Sequence, residues 1–518
     1  MHRPPAAEAQ VAEAQVAEEL AGVRPGLLPR FTAELPGARA AVLTRLWRAL
    51  AHEPLPWVTG RVHGAHSLAL RLADGRTLYG PHADPYATSA YVTGVRLDRE
   101  RHADPAGLMA ALGVPHGAAF AAELADSVAS LALSRADADH PKEWPVGVPP
   151  AEGWGRDWEW EQRVTDGHPF HPGCRSRPGF SVADQLAYGP EHRPVVELVT
   201  VAVPADGCLV TGDWPRELRD GERLLVPVHP WQADHVLKRP YAPWRPARPL
   251  LSLRTLALPD GPHVKTALSA RLTSSVRDIS PYSVRAAAPL SALGEELAAR
   301  SGGLLHVTRT PAAVSAHSPD LAALLRESPE AYAGPGERVV PVAALATTDL
   351  PGSPAWLAAF ARLALTVGLR LLDLGVALEA HGQNLLVILS ADGTPLRLVY
   401  RDLADIRISP ARLTRHGITP PPLTGRLITD DETALRRKLF GSLVAGALAG
   451  TAGSGPALGT ALASAVPDLP DTPDLRALCE GPLPAKALTL MRLSPRTRGD
   501  QWTSLPNPLV LEHDPSDQ

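Results

Sequence analysis

A predicted hairpin near the C-terminal end gathers the polar side chains best suited to hold a metal ion. The segment "LEAHGQNLLVILSADGTPLRLVYRDL", residues 378–403, has two β-rich runs joined by an Asp-Gly turn signal. A hairpin centred on that pair puts residue 384 opposite about 401 and residue 383 opposite about 402. Asn384 and Asp402 therefore meet at its open end. Three further polar residues lie close behind them: Glu379, His381 and Gln383.

An amide oxygen beside a carboxylate is hard-oxygen chemistry, which suits Mg²⁺ carrying nucleotide phosphates. Protein kinases use a similar layout, in which an Asn after the catalytic loop and an Asp after the next hairpin share metal. The alternative is a capped turn whose Asn384 and Asp402 only satisfy backbone groups. The five residues together favour a functional site.

A second segment carries side chains suited to phosphate. In "HVKTALSARLTSSVRD", residues 263–278, Lys265 lies in a predicted strand and a hydroxyl-rich turn follows, with Arg277 next to it. An ammonium, a guanidinium and hydroxyl groups on one loop suit the α- and β-phosphates of ATP. Hydroxyl runs also occur in ordinary turns. Only five of the 51 basic residues are lysines, which favours a specific role for Lys265.

A third segment, "DGHPFHPGCRSRPGF" at residues 166–180, holds two histidines on a proline-stiffened loop. Arg175 and Arg177 follow them, and two adjacent cations disfavour a metal site. They favour an anion to which His168 and His171 donate hydrogen bonds. The alternative is that these are packed core histidines. The same His-Pro pair recurs in "VPVHPWQ", residues 226–232, where a structural role is equally possible.

The rest of the chain supplies the elements that must position these segments. Helices are predicted in the N-terminal part, with a hairpin in "SLALRLADGRTLYG". The proline-rich bend at 140–157 is the first predicted boundary. The middle third is strand-rich, and from about residue 285 the pattern is helical. Its longest predicted helix covers 354–380, and the uncharged stretch 439–466 is interpreted as two buried helices around a Gly-Ser-Gly-Pro turn rather than a membrane span.

Composition narrows the class of protein. Hydrophobic residues make up 45% of the 518 residues and charged residues 20%, which is typical of a globular protein with two or three lobes. A formal net charge of −4 does not indicate a protein that binds nucleic acid or anionic membranes. Three distant cysteines and a glutamate-bearing N-terminus favour a cytoplasmic protein without disulfides. The predicted partner is a small molecule.

The motifs together resemble a known family. "GHPFHPGCRSRPGF", "LLVPVHPWQ", "KTALSARLTSSVRD", "EAHGQNLLV", "YRDL" and "KALTLMRL" are similar, in this order, to the NRPS-independent siderophore (NIS) synthetases of the aerobactin-synthetase (IucA/IucC) type. The resemblance covers roughly residues 140–510. The first 140 residues match the family only weakly.

The resemblance implies an α+β fold with three lobes, described as the thumb, fingers and palm of a hand, with mixed and antiparallel sheets. The thumb would be an N-terminal helical and hairpin domain, the fingers a β-rich ATP-binding domain, and the palm a helical domain with a kinase-like metal site. The implied domains are 1–145, 146–290 and 291–518.

The resemblance also implies roles for individual residues. The catalytic residues would be Lys265, Arg277 and His381. Nucleotide would be bound by His168, Arg175, Arg177, Lys265, Thr273, Ser274, Ser275, Arg277, Gln383 and Asn384. The substrate carboxylate would be held by His381, Gln383 and Arg277. Mg²⁺ would be held by Glu379, Asn384 and Asp402.

The implied activity is ATP- and Mg²⁺-dependent adenylation of a carboxylate of citrate or a related acid, or of its monoacyl derivative. An amine, hydroxylamine or alcohol would then displace AMP, pyrophosphate having left in the first step. A cytoplasmic homodimer, with no nucleic-acid or membrane partner, is expected. Two alternatives remain: a kinase-like, ADP-forming phosphotransferase, and a non-catalytic protein that binds citrate or a siderophore.

Three departures from the family pattern HPxHPxxKxRxG and its surroundings are visible. Arg175 stands where the pattern has lysine, which keeps the charge but changes the shape of the cation. The loop "GGLLHVTRTPAAV" lacks an acidic residue expected there. The chain is also shorter than typical members, which suggests a trimmed thumb.

Overall fold

The structure, a computed structural model, describes residues 6–138, 143–145, 156–259, 261–272, 275–497 and 499–510. The predicted bend at 140–157 lies mostly outside these residues. The described residues form both helices and sheets, so the predicted mixture of the two is confirmed.

The N-terminal region packs helices onto one antiparallel sheet in the order β1-β2-β3-β4-β5. Its elements are α1 (Ala6–Val23), α2 (Leu28–His52), β1 (Val58–His63), β2 (Ser67–Leu72), β3 (Thr77–Pro81), β4 (Val95–Leu97), β5 (Glu100–His102), α3 (Pro105–Leu112) and α4 (Gly117–Ala136). The predicted hairpin is β2–β3, in which Leu70 pairs with Leu78. Buried apolar side chains of α2 and α4, among them Trp47 and Leu124, fill the core of this region.

The middle region is built on a nine-stranded sheet in the order β7-β16-β17-β12-β11-β10-β6-β9-β8. Its elements are α5 (Asp157–Gln162), α6 (Val182–Tyr188), β6 (Val196–Pro204), β7 (Leu209–Gly212), β8 (Arg219–Asp220), β9 (Arg223–Val228), α7 (Pro230–Gln232), the π-helix Ala233–Leu237, β10 (Ala242–Pro249), β11 (Thr255–Ala257), β12 (His263–Thr266), β13 (Leu268–Leu272), β14 (Ser275–Arg277), α8 (Pro281–Ala299), β15 (Leu305–Val307), β16 (Ala312–Ser315) and β17 (Ala322–Arg326). Strands β16 and β17 join the sheet after α8, so its strands lie on both sides of the expected boundary at residue 290.

The C-terminal region surrounds a four-stranded mixed sheet, β15-β21-β20-β18, in which β15 and β21 are parallel. Its elements are β18 (Arg338–Pro341), α9 (Val342–Leu345), α10 (Pro354–Leu374), β19 (Val376–Ala377), β20 (Leu385–Leu389), β21 (Pro395–Tyr400), β22 (Arg407–Ile408), α11 (Pro410–Arg415), α12 (Glu432–Leu439), the π-helix Phe440–Leu448, α13 (Ala449–Ala452), α14 (Gly455–Ala465), α15 (Pro473–Glu480), β23 (Leu483–Lys486), α16 (Leu488–Leu493) and β24 (Trp502–Leu505).

Helix α10 is shorter than predicted. It ends at Leu374 because Gly375 adopts a left-handed conformation with φ 113° and caps it. A Cβ at position 375 would lie 2.9 Å from the backbone of α11, so only glycine fits. The segment between 376 and 384 is therefore a short strand and a turn, not the last turns of a helix.

The uncharged stretch 439–466 forms buried helical segments that break at Gly453, as predicted. By length and composition alone, α10 is the helix among the described residues that could cross a membrane, and 56% of its apolar window is buried in the protein. Its inward side chains, including Phe360 and Leu372, belong to the largest core.

Glu53 joins the N-terminal region to the C-terminal segment. Its side chain is 1% exposed and accepts hydrogen bonds from the backbone N–H groups of Thr489 (3.1 Å) and Leu490 (2.7 Å) at the start of α16. Burial raises the pKa of Glu53 to about 7. The folded protein therefore keeps a proton on Glu53 at pH values where the unfolded chain has lost it.

This arrangement predicts a pH-dependent stability. The stabilisation by protonated Glu53 is complete below about pH 4.5 and is lost as pH rises through about 7, a change of the order of 3 kcal/mol. In Glu53→Gln this dependence should be absent. Urea unfolding of both proteins between pH 4.5 and 8 measures the difference, and parallel pH profiles would contradict the prediction.

Candidate active site

The predicted hairpin forms, and its register brings the predicted metal residues to one end. Leu385 pairs with Tyr400 across β20 and β21, and the Arg401 N–H donates to the carbonyl of Asn384 at 3.0 Å. The predicted pairing of residues 384 and 401 is thus confirmed. Asp402 follows at φ 72°, a left-handed conformation that aspartate tolerates better than most residues.

The loop before β20 is a compact turn. The N–H of His381 donates to the Glu379 carbonyl, and the N–H of Asn384 donates to the His381 carbonyl, both at 2.9 Å. The Asn384 Nδ2 group donates to the Glu379 carbonyl at 3.4 Å, which leaves its amide oxygen directed elsewhere. A Cβ at Gly382 would lie 2.9 Å from the Ala343 nitrogen, so the turn packs too closely for a larger residue.

A buried ion pair supports the mouth of the hairpin from behind. Arg401 contacts Glu161 Oε1 at 2.7 Å and donates to the Gln383 carbonyl at 2.8 and 3.1 Å. Glu161 is fully buried, and its second oxygen accepts the Leu251 N–H at 2.8 Å. Neighbouring Asp402 and Gln383 are therefore held by one rigid contact between α5 and the hairpin. This pair was not predicted from the sequence.

Four basic side chains share Asp402 as a partner. Lys265 Nζ lies 2.5 Å from Asp402 Oδ2, and Arg326 lies 3.5 Å from Oδ1. Arg254 and Arg277 are close enough to interact with the same carboxylate. Burial opposes ionisation of Asp402, but Lys265 and Arg326 hold its pKa well below the usual range. Burial lowers the pKa of Lys265 to about 7 and that of Arg254 to about 10.

A second ionic cluster lies beside the first. Glu379 Oε1 accepts from Lys486 at 2.8 Å and from Lys438 at 3.3 Å. Lys438 also contacts Asp405 at 3.0 Å, and Lys486 contacts Asp500 at 3.2 Å. Burial works against the charge of Lys486, but these carboxylates raise its pKa above the ordinary value. Glu379 is thus already neutralised by two lysines.

His168 lies close to the hairpin loop that carries His381. Its ring is partly exposed to solvent, and it lies near enough to interact with His381. His381 in turn is half-buried and interacts with Glu379, Asp402 and Arg277. The structure therefore brings together residues from three distant segments, as the sequence predicted: His168, Lys265, Arg277, Glu379, His381, Gln383, Asn384 and Asp402.

The structure does not support the prediction that Arg175 and Arg177 bind nucleotide. Both are buried, and both contact the fully buried Glu191, at 3.3 and 2.7 Å. Arg175 also donates to the carbonyls of Thr165 and Val164. These guanidinium groups hold the loop together instead of facing the cleft, which explains why arginine at position 175 is accommodated where the family pattern has lysine.

The hydroxyl-rich turn is only partly described. Thr273 and Ser274 lie outside the described residues, and Ser275 is the first residue of β14, paired with Leu272. Arg277 ends the same strand and pairs with Leu268. Arg254 Nη1 donates to the carbonyls of Arg277 and Asp278 at 2.8 Å, which ties this strand end to the cluster around Asp402.

Besides Glu161 and Arg401, five charged residues of the two ionic clusters were not predicted from the sequence: Arg254, Arg326, Asp405, Lys438 and Lys486. The scarcity of lysine was the available signal for two of them. Of the five lysines, Lys265, Lys438 and Lys486 all contact carboxylates at the site. The two arginines had no such signal in a chain with many arginines.

The donor atoms at the open end of the hairpin are of the type that Mg²⁺ prefers, but they are too few to bind the ion without other ligands. Asn384 offers an amide oxygen and Asp402 a carboxylate, both hard ligands. Among the described residues, no group of three or more His, Cys, Asp or Glu side chains could hold an ion. Each carboxylate oxygen of Asp402 also contacts a basic side chain, Lys265 at Oδ2 and Arg326 at Oδ1. A bound Mg²⁺ would therefore need phosphate oxygens and water, and would displace Lys265 from Asp402.

Comparison with solved structures defines the class of fold. The petrobactin biosynthesis protein AsbB of Bacillus anthracis superposes with a TM-score of 0.76 at 19% identity, covering 93% of this chain and 97% of that one. ATP-bound aerobactin synthetase IucA of Klebsiella pneumoniae gives 0.70 at 20% identity, covering 91% and 99%. The chain therefore has the fold of these siderophore-biosynthesis proteins.

Two segments of the chain match family descriptions. Residues 157–347 match the IucA / IucC family, and residues 354–454 match the description "Ferric iron reductase FhuF-like transporter". The segment 157–347 is thus similar to the IucA / IucC family, and the resemblance inferred from the motifs is confirmed.

Curated relatives are named as ligases and siderophore biosynthesis proteins. A citryl-spermidine/3,4-dihydroxybenzoyl-citryl-spermidine:spermidine ligase of Bacillus anthracis is 25% identical over 309 residues, 47% of this chain and 50% of the relative. The rhizobactin siderophore biosynthesis protein RhbC of Rhizobium meliloti is 28% identical over 313 residues, 47% and 53%. The chain spans about half the length of the curated relatives it matches.

Proposed function

We propose that this chain is an ATP-dependent siderophore synthetase. It adenylates a carboxylate of citrate or a related di- or tricarboxylic acid, or of its monoacyl derivative, and joins the acid to an amine, hydroxylamine or alcohol. AMP and pyrophosphate are the products. The proposal rests on the IucA / IucC segment, on the shared fold and on the site.

The observation that carries the proposal is the excess of positive charge around Asp402. Lys265, Arg254, Arg277 and Arg326 converge on one carboxylate, and burial lowers the pKa of each of these cations. Such a cluster is unfavourable until an anion of higher charge arrives. A nucleotide triphosphate supplies that charge, and its binding offsets the repulsion between the cations.

We assign the triphosphate to this cluster. Lys265 and Arg277 are placed on the α-phosphate, where charge develops as pyrophosphate leaves. Arg254 and Arg326 add to the nucleotide residues inferred from the sequence, while the hydroxyl groups of Thr273, Ser274 and Ser275 remain part of the proposal. His168 donates to the same anion from the opposite edge of the cleft, and Asn384 and Gln383 face it from the hairpin mouth.

The acid is assigned to His381 and Gln383, with Arg277 shared between acid and phosphate. A carboxylate oxygen of the acid attacks the α-phosphorus, and the bond from that phosphorus to the pyrophosphate oxygen breaks. The nucleophile then attacks the acyl carbon, loses its proton, and AMP leaves with the former carboxylate oxygen. The protein's main contribution is to hold the two reacting groups in line.

Asn384 and Asp402 would hold Mg²⁺, and Glu379 would reach it only through the carboxylate oxygen that its lysines leave free. Bound there, Mg²⁺ would neutralise the charge of the leaving pyrophosphate. Before any metal binds, Asp402 has a second task, because it contacts the Lys265 ammonium and the Arg326 guanidinium and holds both in place.

The surroundings of the site suit small-molecule partners. We propose a cytoplasmic homodimer with thumb, fingers and palm lobes, without nucleic-acid or membrane partners. The free thiols of Cys174, Cys208 and Cys479 are consistent with a reducing compartment. Size-exclusion chromatography with light scattering tests the dimer.

Nucleotide product analysis tests the proposed reaction. The purified protein is incubated with MgATP, one acid from a panel of citrate, succinyl derivatives and 2-oxoglutarate, and a diamine or hydroxylamine. Acid-dependent AMP and pyrophosphate are expected. ADP with a phosphorylated product would indicate the kinase-like alternative, and tight acid binding without any turnover would indicate the binding protein.

A further inference from the structure

Among the described residues, three histidines that are followed by proline share one local geometry: His168, His171 and His229. In each case the ring Nδ1 accepts the backbone N–H of the residue two positions on, at 3.1, 2.8 and 3.2 Å. Proline has no N–H and a fixed φ, which favours this turn of the next N–H onto the ring. His381, which is followed by glycine, accepts the Gln383 N–H in the same way at 3.3 Å. His168 accepts a second N–H, from His171, at 3.1 Å.

This geometry determines where the ring proton lies. A backbone N–H can only donate, so the Nδ1 that accepts from it carries no proton. The single proton of a neutral ring is then on Nε2. Two other histidines show the opposite arrangement, because their Nδ1 faces an acceptor: Asp137 Oδ2 for His192 at 2.9 Å, and the Trp231 carbonyl for His235 at 3.0 Å.

The same contacts oppose protonation of His168. An imidazolium would direct an Nδ1–H at two backbone N–H groups. Interactions with His171 on its own loop, with His381 on the hairpin loop, and with Arg45 and Arg48 on α2 all oppose a positive charge on the ring. Partial desolvation in the cleft, with smaller repulsion from these groups, lowers the pKa of His168 well below its usual range.

His168 differs from its two counterparts in exposure. The His171 and His229 rings are 1% and 0% exposed, and their Nε2 atoms have no hydrogen-bond partner among the described residues. His168, in contrast, is an exposed residue. Helix α2 fixes its loop from behind, because Arg45 donates to the carbonyls of His168 (3.1 Å) and Asp166 (3.3 Å).

We infer that His168 is a permanently neutral hydrogen-bond donor, which presents Nε2–H to an anionic oxygen of the substrate and takes no part in proton transfer. The identity of that anion as a phosphate oxygen of ATP rests on the proposed function. The His-Pro loop, residues 166–180, therefore fixes the ring tautomer of His168. The N-terminal region, which neither family description covers, holds that loop in place through α2.

Nitrogen NMR of the unliganded protein tests the tautomer without any substrate. In protein labelled with ¹⁵N only at histidine, His168 should show an unprotonated Nδ1 and a protonated Nε2 at every pH from 6 to 8. His235, exposed on its own helix, is the matched control and should show the reverse tautomer. Assignment uses His168→Gln and His235→Gln. A protonated Nδ1, or a titration of His168 in this range, overturns the inference.

Substrate binding tests the donor role. Addition of MgATP, or of pyrophosphate alone, should shift the Nε2 signal of His168 and leave that of His235 unchanged. A glutamine amide nitrogen can reach the position of Nε2, whereas asparagine mimics Nδ1. His168→Gln should therefore stay within about tenfold of the wild-type KM for ATP, and His168→Asn should raise it roughly 10- to 100-fold.

The two failures can be told apart. If His168 has the expected tautomer but no acid yields AMP, the proposed function fails and the tautomer stands. The inference about His168 is wrong, and the proposed function stands, if AMP is formed but the Nε2 signal of His168 does not change on addition of MgATP or pyrophosphate. The same conclusion follows if AMP is formed and His168→Gln and His168→Asn have the same KM for ATP.

Discussion

Replacement of Asp402 by asparagine is expected to abolish acid-dependent ATP–pyrophosphate exchange, with a fall of at least about 10³-fold, or roughly 4 kcal/mol. The change keeps the size of the side chain and removes its charge. Asp402 is the proposed metal ligand and the partner of Lys265 and Arg326. Loss of the carboxylate removes the metal and lets both cations move from the cleft wall.

The same variant should bind metal-free pyrophosphate more tightly, by roughly tenfold, because it removes a negative charge from a cationic cluster. A purely structural role for Asp402 would weaken this binding together with exchange. Asp373→Asn is a matched control, since Asp373 is half-exposed and contacts Arg415 at 3.2 Å away from the site. It should leave both measurements unchanged. Exchange retained in Asp402→Asn would refute the metal assignment.

Replacement of Glu191 by glutamine is expected to lower the free energy of unfolding by about 3 to 5 kcal/mol. Glu191 is fully buried between Arg175 and Arg177, and it also accepts from Ser134 Oγ at 2.9 Å. Burial opposes its ionisation, but the two arginines hold the pKa of Glu191 well below the usual range. Removal of its charge leaves two buried guanidinium groups without the carboxylate that they share.

Urea denaturation followed by tryptophan fluorescence measures this loss. Glu295→Gln is the matched control, because Glu295 is 57% exposed and lies 3.8 Å from Arg309. Its effect should be below about 0.5 kcal/mol. A change of less than about 1 kcal/mol in Glu191→Gln would contradict the account of the His-Pro loop, in which Arg175 and Arg177 hold structure and do not bind nucleotide.

Features specified by neighbouring residues could be predicted from the sequence. The Asp-Gly turn and two β-rich runs were sufficient to predict the β20–β21 hairpin, and its register placed Asn384 opposite Arg401. The break at Gly453 between buried helices was predicted for the same reason. The end of α10 was not, because Gly375 is required by the close approach of α11, which no local pattern reveals.

Features that depend on partners distant in sequence could not be predicted. Arg175 and Arg177 looked like free cations beside two histidines, and only the fold places Glu191 between them. Arg326 reaches Asp402 because β17 pairs with β12 in the nine-stranded sheet, which the helical pattern after residue 285 concealed. Ionic clusters of this kind are specified by topology, so residue types alone leave their members ambiguous.

The transfer of a carboxylate oxygen to AMP tests the central claim most directly. The accepted acid is labelled with ¹⁸O in its carboxylates and incubated with MgATP, the protein and the amine, and the nucleotide product is examined by mass spectrometry. Adenylation at the cluster around Asp402 predicts one ¹⁸O atom in each AMP formed. Unlabelled AMP, or label found in inorganic phosphate beside ADP, would contradict the account.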